Sequence, residues 1–231
     1  MKEMKDIKRI VVKVGSSTLT HPQGGLNFDK IDRLTMVLSD MKNSGKQVIL
    51  VTSGAVSAGV SKLGMHRRPN CMKEKQAAAS VGQSELMFIY DKFFSQYGQT
   101  IAQLLLTKTV LSQEDLRFNA TNTLETLLEY GVIPIVNEND TVSVTELMFT
   151  DNDELSGLIA QMMNADTVIL LSNIDGIYTG NPDEAGSELI QRVEPNTDLS
   201  GLRVVYTPLN GAGNKPVREI LKRIGIVNVA T

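Results

Sequence analysis

Four short stretches of this chain hold residue types suited to chemistry. Lys13-Val14-Gly15-Ser16-Ser17 and Thr52-Ser53-Gly54-Ala55 each place small residues directly after an apolar, β-branched run. Small residues let backbone N–H groups approach an anion, and a following helix adds its positive end. Lys13 could set a point charge on the same phosphates. The same glycines also serve tight turns, so each loop alone leaves both readings open. Neither is a Walker A loop, because no G-K-[ST] closes it. Further on come Asn137-Glu138-Asn139-Asp140 and Thr150-Asp151-Asn152-Asp153-Glu154. Carboxylates and amides in that mixture can grip the ammonium and carboxylate groups of an amino acid, or hold a magnesium ion. The second cluster also has capping-box spacing between Asp151 and Glu154.

The elements that must position these residues alternate in type. Strand-like runs occupy Ile10–Val14, Gln47–Thr52, Ile101–Thr107, Val132–Asn137 and Thr167–Ser172. Between them, Phe28–Asn43 carries Ile31, Leu34, Val37, Leu38 and Met41 at the spacing of one helix face. Lys75–Tyr97 reads as one or two helices, Asn119–Tyr130 as an amphipathic helix ended by Gly131, and Leu155–Met163 as a further helix. Near-continuously apolar strands separated by helices predict an α/β fold, a mainly parallel sheet with helices on both faces. In such sheets ligands bind at the carboxyl ends of the strands, where all four stretches fall, joined there by Ser172-Asn173.

The remaining composition narrows the function classes. With 231 residues, 42% hydrophobic and 21% charged, the chain suits one large globular domain or a domain with a small appendage. A net charge of -3 gives no electrostatic reason to expect nucleic acid, and no apolar run approaches the roughly 20 residues of a membrane span. Cys71 is the only cysteine and has no His or Cys companion at a metal-ligand spacing, so no dedicated metal site is expected. The charged amino terminus runs straight into a strand, and a cytoplasmic location is the expectation. His21 reads as loop, and His66-Arg67-Arg68-Pro69 as a solvated turn.

Taken in order, IVVKVGSSTL, VILVTSGAVSAG, KQAAASVGQSELM, QLLLT, GVIPIVNENDTV, TDNDELSGLIA and ADTVILLSNIDGIYTGNP resemble the amino-acid kinase family, in its glutamate-phosphorylating branch, over about residues 8–200. The resemblance implies transfer of the γ-phosphate of ATP, with Mg2+, to the side-chain carboxylate of L-glutamate, the first step of proline synthesis. It implies that Lys13 contacts the ATP phosphates and that Asp153 lies near the transferred phosphate. It assigns Ser53, Asp140 and Asn152 to glutamate, and Gly15, Ser16, Ser172 and Asn173 to the nucleotide. A homo-oligomer is compatible with it.

Two departures stand out. Asn173 occupies a position where many family members have aspartate. The family's GTGGMxTK-type segment, whose lysine contacts the nucleotide, has no counterpart after Ser200. Residues 201–229 instead resemble a strand–helix fragment of the phosphohexomutase family. The expectation is therefore a kinase domain over 1–200, truncated and replaced at its nucleotide-binding end by a tail over 201–231. That alteration would impair phosphoryl transfer and could leave a protein that binds glutamate without phosphorylating it.

Overall fold

A computed structural model describes residues 7–21, 24–67, 69–143, 152–172 and 186–188, and the backbone of 203–208 and 229–230. In chain order the elements are β1 (Arg9–Val14), α1 (Ser16–Leu19), α2 (Phe28–Asn43), β2 (Gln47–Thr52), α3 (Ala55–Lys62), α4 (Met72–Gln96), β3 (Ile101–Leu106), α5 (Lys108–Ser112), α6 (Glu114–Glu129), β4 (Ile133–Glu138), α7 (Asn152–Met162), β5 (Thr167–Ser172), β6 (Arg203–Pro208) and β7 (Val229–Ala230). The strands form one sheet in the order β3-β4-β2-β1-β5-β6-β7, and every pairing is parallel.

Period-two alternation along the strands sorts the core into two layers. Val11, Ile49, Val51, Val136, Val168 and Leu170 face Leu111, Leu124, Leu128, Leu155 and Ile159 of α5, α6 and α7. Ile10, Val12, Val14, Val48, Leu50, Ile133 and Ile135 face Leu19, Ile31, Leu38, Leu86, Tyr90 and Phe94 of α1, α2 and α4. Lys13 shares a strand face with Val11, which aims it at the α7 layer.

The five strand expectations hold to within a residue or so, and Gly131 has the left-handed φ of 68° that ends α6. Three helices begin earlier than the apolar periodicity suggested. The stretch read as one or two helices from Lys75 is a single helix from Met72. Helix α6 starts at Glu114 and α7 at Asn152. Their first turns carry Glu114 and Asp115, and Asp153 and Glu154, whose charges favour a helix amino terminus without adding apolar signal. The helix of the strand–helix fragment, placed by its sequence at about residues 215–224, lies outside the described residues.

Helices α3 and α4 cross at two glycines. A Cβ on Gly82 would fall 1.8 Å from the Ala55 carbonyl oxygen, and one on Gly59 would fall 1.8 Å from that of Ala78. Only a residue without a Cβ can approach a neighbouring backbone so closely.

At the amino ends of the strands, Arg9 and Asp166 tie distant segments together. The Arg9 guanidinium donates to both carboxylate oxygens of Glu125 on α6 at 2.6 and 2.7 Å. It also reaches the Gln47 side chain at 2.8 Å and the Met163 carbonyl at 2.5 Å. The Asp166 carboxylate accepts from the backbone N–H groups of Lys8 and Arg9 at 2.9 and 3.0 Å.

Candidate functional site

Strands β4, β2, β1 and β5 are consecutive in the sheet, so their carboxyl ends open onto one edge. Those ends carry Asn137 and Glu138, Thr52 and Ser53, Lys13 and Gly15, and Ser172. The two glycine loops touch directly, because the Ser53 backbone N–H donates to the Val14 carbonyl at 3.2 Å. Gly54 has φ 107°, a left-handed turn that costs glycine little and starts α3 with no side-chain cap. The free N–H groups of that first turn are available to an anion.

Helix α7 closes the site from the other side. The Asn152 side-chain amide donates to the Thr52 carbonyl at 2.5 Å, to Ser53 Oγ at 2.8 Å and to Asn137 Oδ1 at 2.8 Å. Asn137 in turn donates to Gln83 Oε1 of α4 at 2.8 Å. One buried amide chain therefore fixes α4, β4, β2 and α7 relative to one another. The next residue, Asp153, pairs with Lys13 Nζ at 2.5 Å, both side chains more than nine-tenths buried. Glu154, weighed as a capping-box partner of Asp151, pairs with Lys108 Nζ at 3.1 Å, and Asp151 lies outside the described residues.

A cleft of about 1010 Å³ runs from this edge along α3. Ser16, Ser53, Asn137, Glu138, Asp140 and Asn152 line it, together with the first turn of α3. Desolvation holds the Asp140 carboxyl above the usual carboxylate range. Lys13 lies beside the cleft through its pairing with Asp153, the chain neighbour of the lining residue Asn152. Of the residues singled out from sequence, Lys13, Gly15, Ser16, Ser53, Asp140, Asn152 and Asp153 thus fall around one place. Ser172 ends β5 beside β1, and Asn173 lies outside the described residues. Asn137 belongs to the Asn137–Asp140 stretch read from sequence, Gln83 and Lys75 were not singled out, and His21, His66 and Arg67, read as ordinary loop and turn, line the cleft wall.

The model of the amino acid kinase family matches residues 8–218. The chain belongs to the amino acid kinase family. A glutamate 5-kinase of Clostridium perfringens is 46% identical over 242 aligned positions, covering all of this chain and 86% of the relative. Glutamate 5-kinases of Listeria innocua and Clostridium acetobutylicum are 54% and 51% identical over 78% of this chain. The chain spans 66% and 68% of those two proteins. The likeness of residues 201–229 to phosphohexomutases is not borne out. The kinase-family match runs on through residue 218, the C. perfringens protein aligns along the whole chain, and β6 extends the kinase sheet in parallel with β5. A short Gly-rich turn between a strand and a helix is common to many α/β proteins, so that local pattern had little power to tell one family from another.

Proposed function

We propose that this chain transfers the γ-phosphoryl group of ATP to the side-chain carboxylate of L-glutamate, forming L-glutamyl 5-phosphate, the first step of proline biosynthesis in the cytoplasm. The observation that carries this reading is the buried Lys13–Asp153 pair held directly beside the cleft lined by Ser53, Asp140 and Asn152. Names of relatives at 46–54% identity favour glutamate over other acceptors.

The chemistry suits the residues. A glutamate side chain with a reference pKa of ~4.3 is already ionised at neutral pH, so the nucleophile needs no general base. What remains is to bring two anions into line and neutralise the charge that develops on the phosphoryl group. Lys13 supplies a cation at the transfer point, and Asp153 holds its amine in place. Gly15, Ser16, Ser172 and Asn173 take the nucleotide side. Ser53, Asp140 and Asn152 take glutamate, the Asp140 carboxylate receiving its ammonium. No cluster of three acidic or imidazole groups suited to a metal occurs among the described residues. Magnesium would enter with the nucleotide, held mainly by phosphate oxygens, as this ion commonly is.

The test is glutamate-dependent formation of ADP, with aspartate and acetylglutamate as alternative acceptors. Turnover with either alternative exceeding that with glutamate would refute the assignment. A second reading, glutamate binding with weak transfer, is favoured by one observation: no GTGGMxTK-type segment follows Ser200 within these 231 residues. We expect grafting such a segment to raise turnover on the order of 10²-fold, the effect of restoring one preorganised electrostatic donor. Equal turnover with and without the graft would show that residues 201–231 already complete the kinase domain.

Asp140 offers a test with two opposed readouts. Asp140→Asn should weaken glutamate binding roughly 10- to 100-fold, the equivalent of one charge-assisted hydrogen bond. Because burial raises the carboxyl's pKa, the native state binds its proton more readily than the unfolded chain does. Stability from this group is then fully present below the unfolded pKa and is lost as pH rises through the raised one. The neutral amide introduced by the substitution carries no such cost, so the variant should be slightly more stable than the parent at pH 7. Glutamate affinity of the parent should also fall on acidification before ordinary carboxylates titrate. Titration calorimetry across pH, paired with urea melts, measures both.

A further inference from the structure

The cleft contains more positive charge than the proposed transfer step uses. Arg67 and Lys75 both line it. Arg67 is committed, its guanidinium donating to both carboxylate oxygens of Glu74 at 3.2 and 3.0 Å. Lys75, in the first turn of α4, has no ion-pair partner among the described residues. An uncommitted ammonium group on the wall of a cleft invites an anion.

Its helix is held against the Asp140 segment by two contacts that follow it in the chain. Gln76, the next residue, donates through Nε2 to the Ser143 carbonyl at 3.3 Å. One turn further along, the hydroxyls of Ser80 and Thr141 lie 3.2 Å apart. Both contacts dock the start of α4 onto the segment that follows β4 and carries Asp140. A cation and a carboxylate thereby line the same cleft, which also reaches Asn152, the chain neighbour of Asp153 in the Lys13–Asp153 pair.

An α-amino acid bearing a second carboxylate has the matching pattern. One carboxylate goes to the transfer point, while the ammonium and the α-carboxylate sit together at the other end. We infer that Lys75 recognises the α-carboxylate of the acceptor, making it the residue that distinguishes an amino acid from an acid lacking that charge. The inference rests on the glutamate reading above and deepens it. Lys75 acts as a specificity determinant away from the reacting atoms, so its effect belongs in binding and not in the chemical step.

The experiment compares L-glutamate with isoglutamine, which keeps the side-chain carboxylate and the ammonium but carries a neutral amide in place of the α-carboxylate. Dissociation constants are measured by calorimetry for the whole chain and for Lys75→Met and Lys75→Arg. Lys75→Met should weaken glutamate roughly 10-fold or more, as expected for a lost charge-assisted hydrogen bond. It should leave isoglutamine within about twofold, whereas Lys75→Arg should retain most of the affinity for glutamate. ATP affinity should be the same in all three proteins. Lys75 is exposed, so neither substitution threatens the core. Equal weakening of glutamate and isoglutamine, or no weakening of glutamate, would overturn the role of Lys75 alone. Absence of glutamate binding by the parent chain would overturn the glutamate reading together with it.

Discussion

Lys13→Met should lower glutamate-dependent ADP formation by about 10³-fold, the upper end of what removing one preorganised electrostatic group costs. It should also destabilise the fold, because it strands Asp153. Both side chains of this pair are more than nine-tenths buried at 2.5 Å. Removing one partner of such a pair typically costs about 3–5 kcal/mol, since a charge is left in the interior without compensation. Asp153→Leu alone should cost a similar amount by stranding Lys13. The double variant Lys13→Met/Asp153→Leu removes both charges and should recover most of the lost stability while remaining inactive. Urea denaturation beside the ADP assay separates the two effects. A double variant as unstable as either single one would mean that the pair is held by more than its mutual charge. A Lys13→Met protein retaining a tenth of parental turnover would remove Lys13 from the phosphoryl site.

The second large effect is expected far from any substrate. Gly82→Ala places a methyl group 1.8 Å from one backbone carbonyl and 2.3 Å from the Gly59 nitrogen, where no rotamer change can give relief. Helices α3 and α4 must move apart. We expect a loss of about 3 kcal/mol, the high end for overpacking because the obstacle is backbone. For a chain of this size that corresponds to a melting temperature lower by roughly 6–12 °C. Glutamate affinity should fall as well, since α3 begins at the cleft and Gln83, adjacent to the substitution, anchors Asn137. Thermal melts and calorimetry read these separately. A stability change below about 1 kcal/mol would show that the crossing is looser than its geometry indicates.

The sequence displays the sheet plainly and the site only in outline. Runs such as QVILVT and TVILLS are apolar along their whole length because both faces of a central parallel strand are covered, and that pattern survives in one dimension. Lys13, Ser53 and Asp140 are visible because they end such runs. The bonding of Asn152 is not, since its partners Ser53 and Thr52 lie 99 and 100 residues away and no local period encodes them. Lys75 was missed for a related reason. On a helix it looks like any solvated lysine until the fold sets α4 beside the segment carrying Asp140. The loop residues His66 and Arg67 have the composition of a solvated turn and are exposed, yet the turn forms part of a cleft wall.

The order of strands also sets a timetable for synthesis. Strand β1 lies at the middle of the sheet, yet one of its two neighbours, β5, comes more than 150 residues later. At roughly 5–20 residues per second, a ribosome takes on the order of 10–30 s to deliver it. Through that interval the β1 edge that will receive β5 has no backbone partner, and Arg9 lacks Met163, one of its acceptors. An unpaired, apolar strand edge can template the wrong pairing while it waits. The newborn chain should therefore engage holdase chaperones until residue 172 has cleared the exit tunnel, and release them soon afterwards.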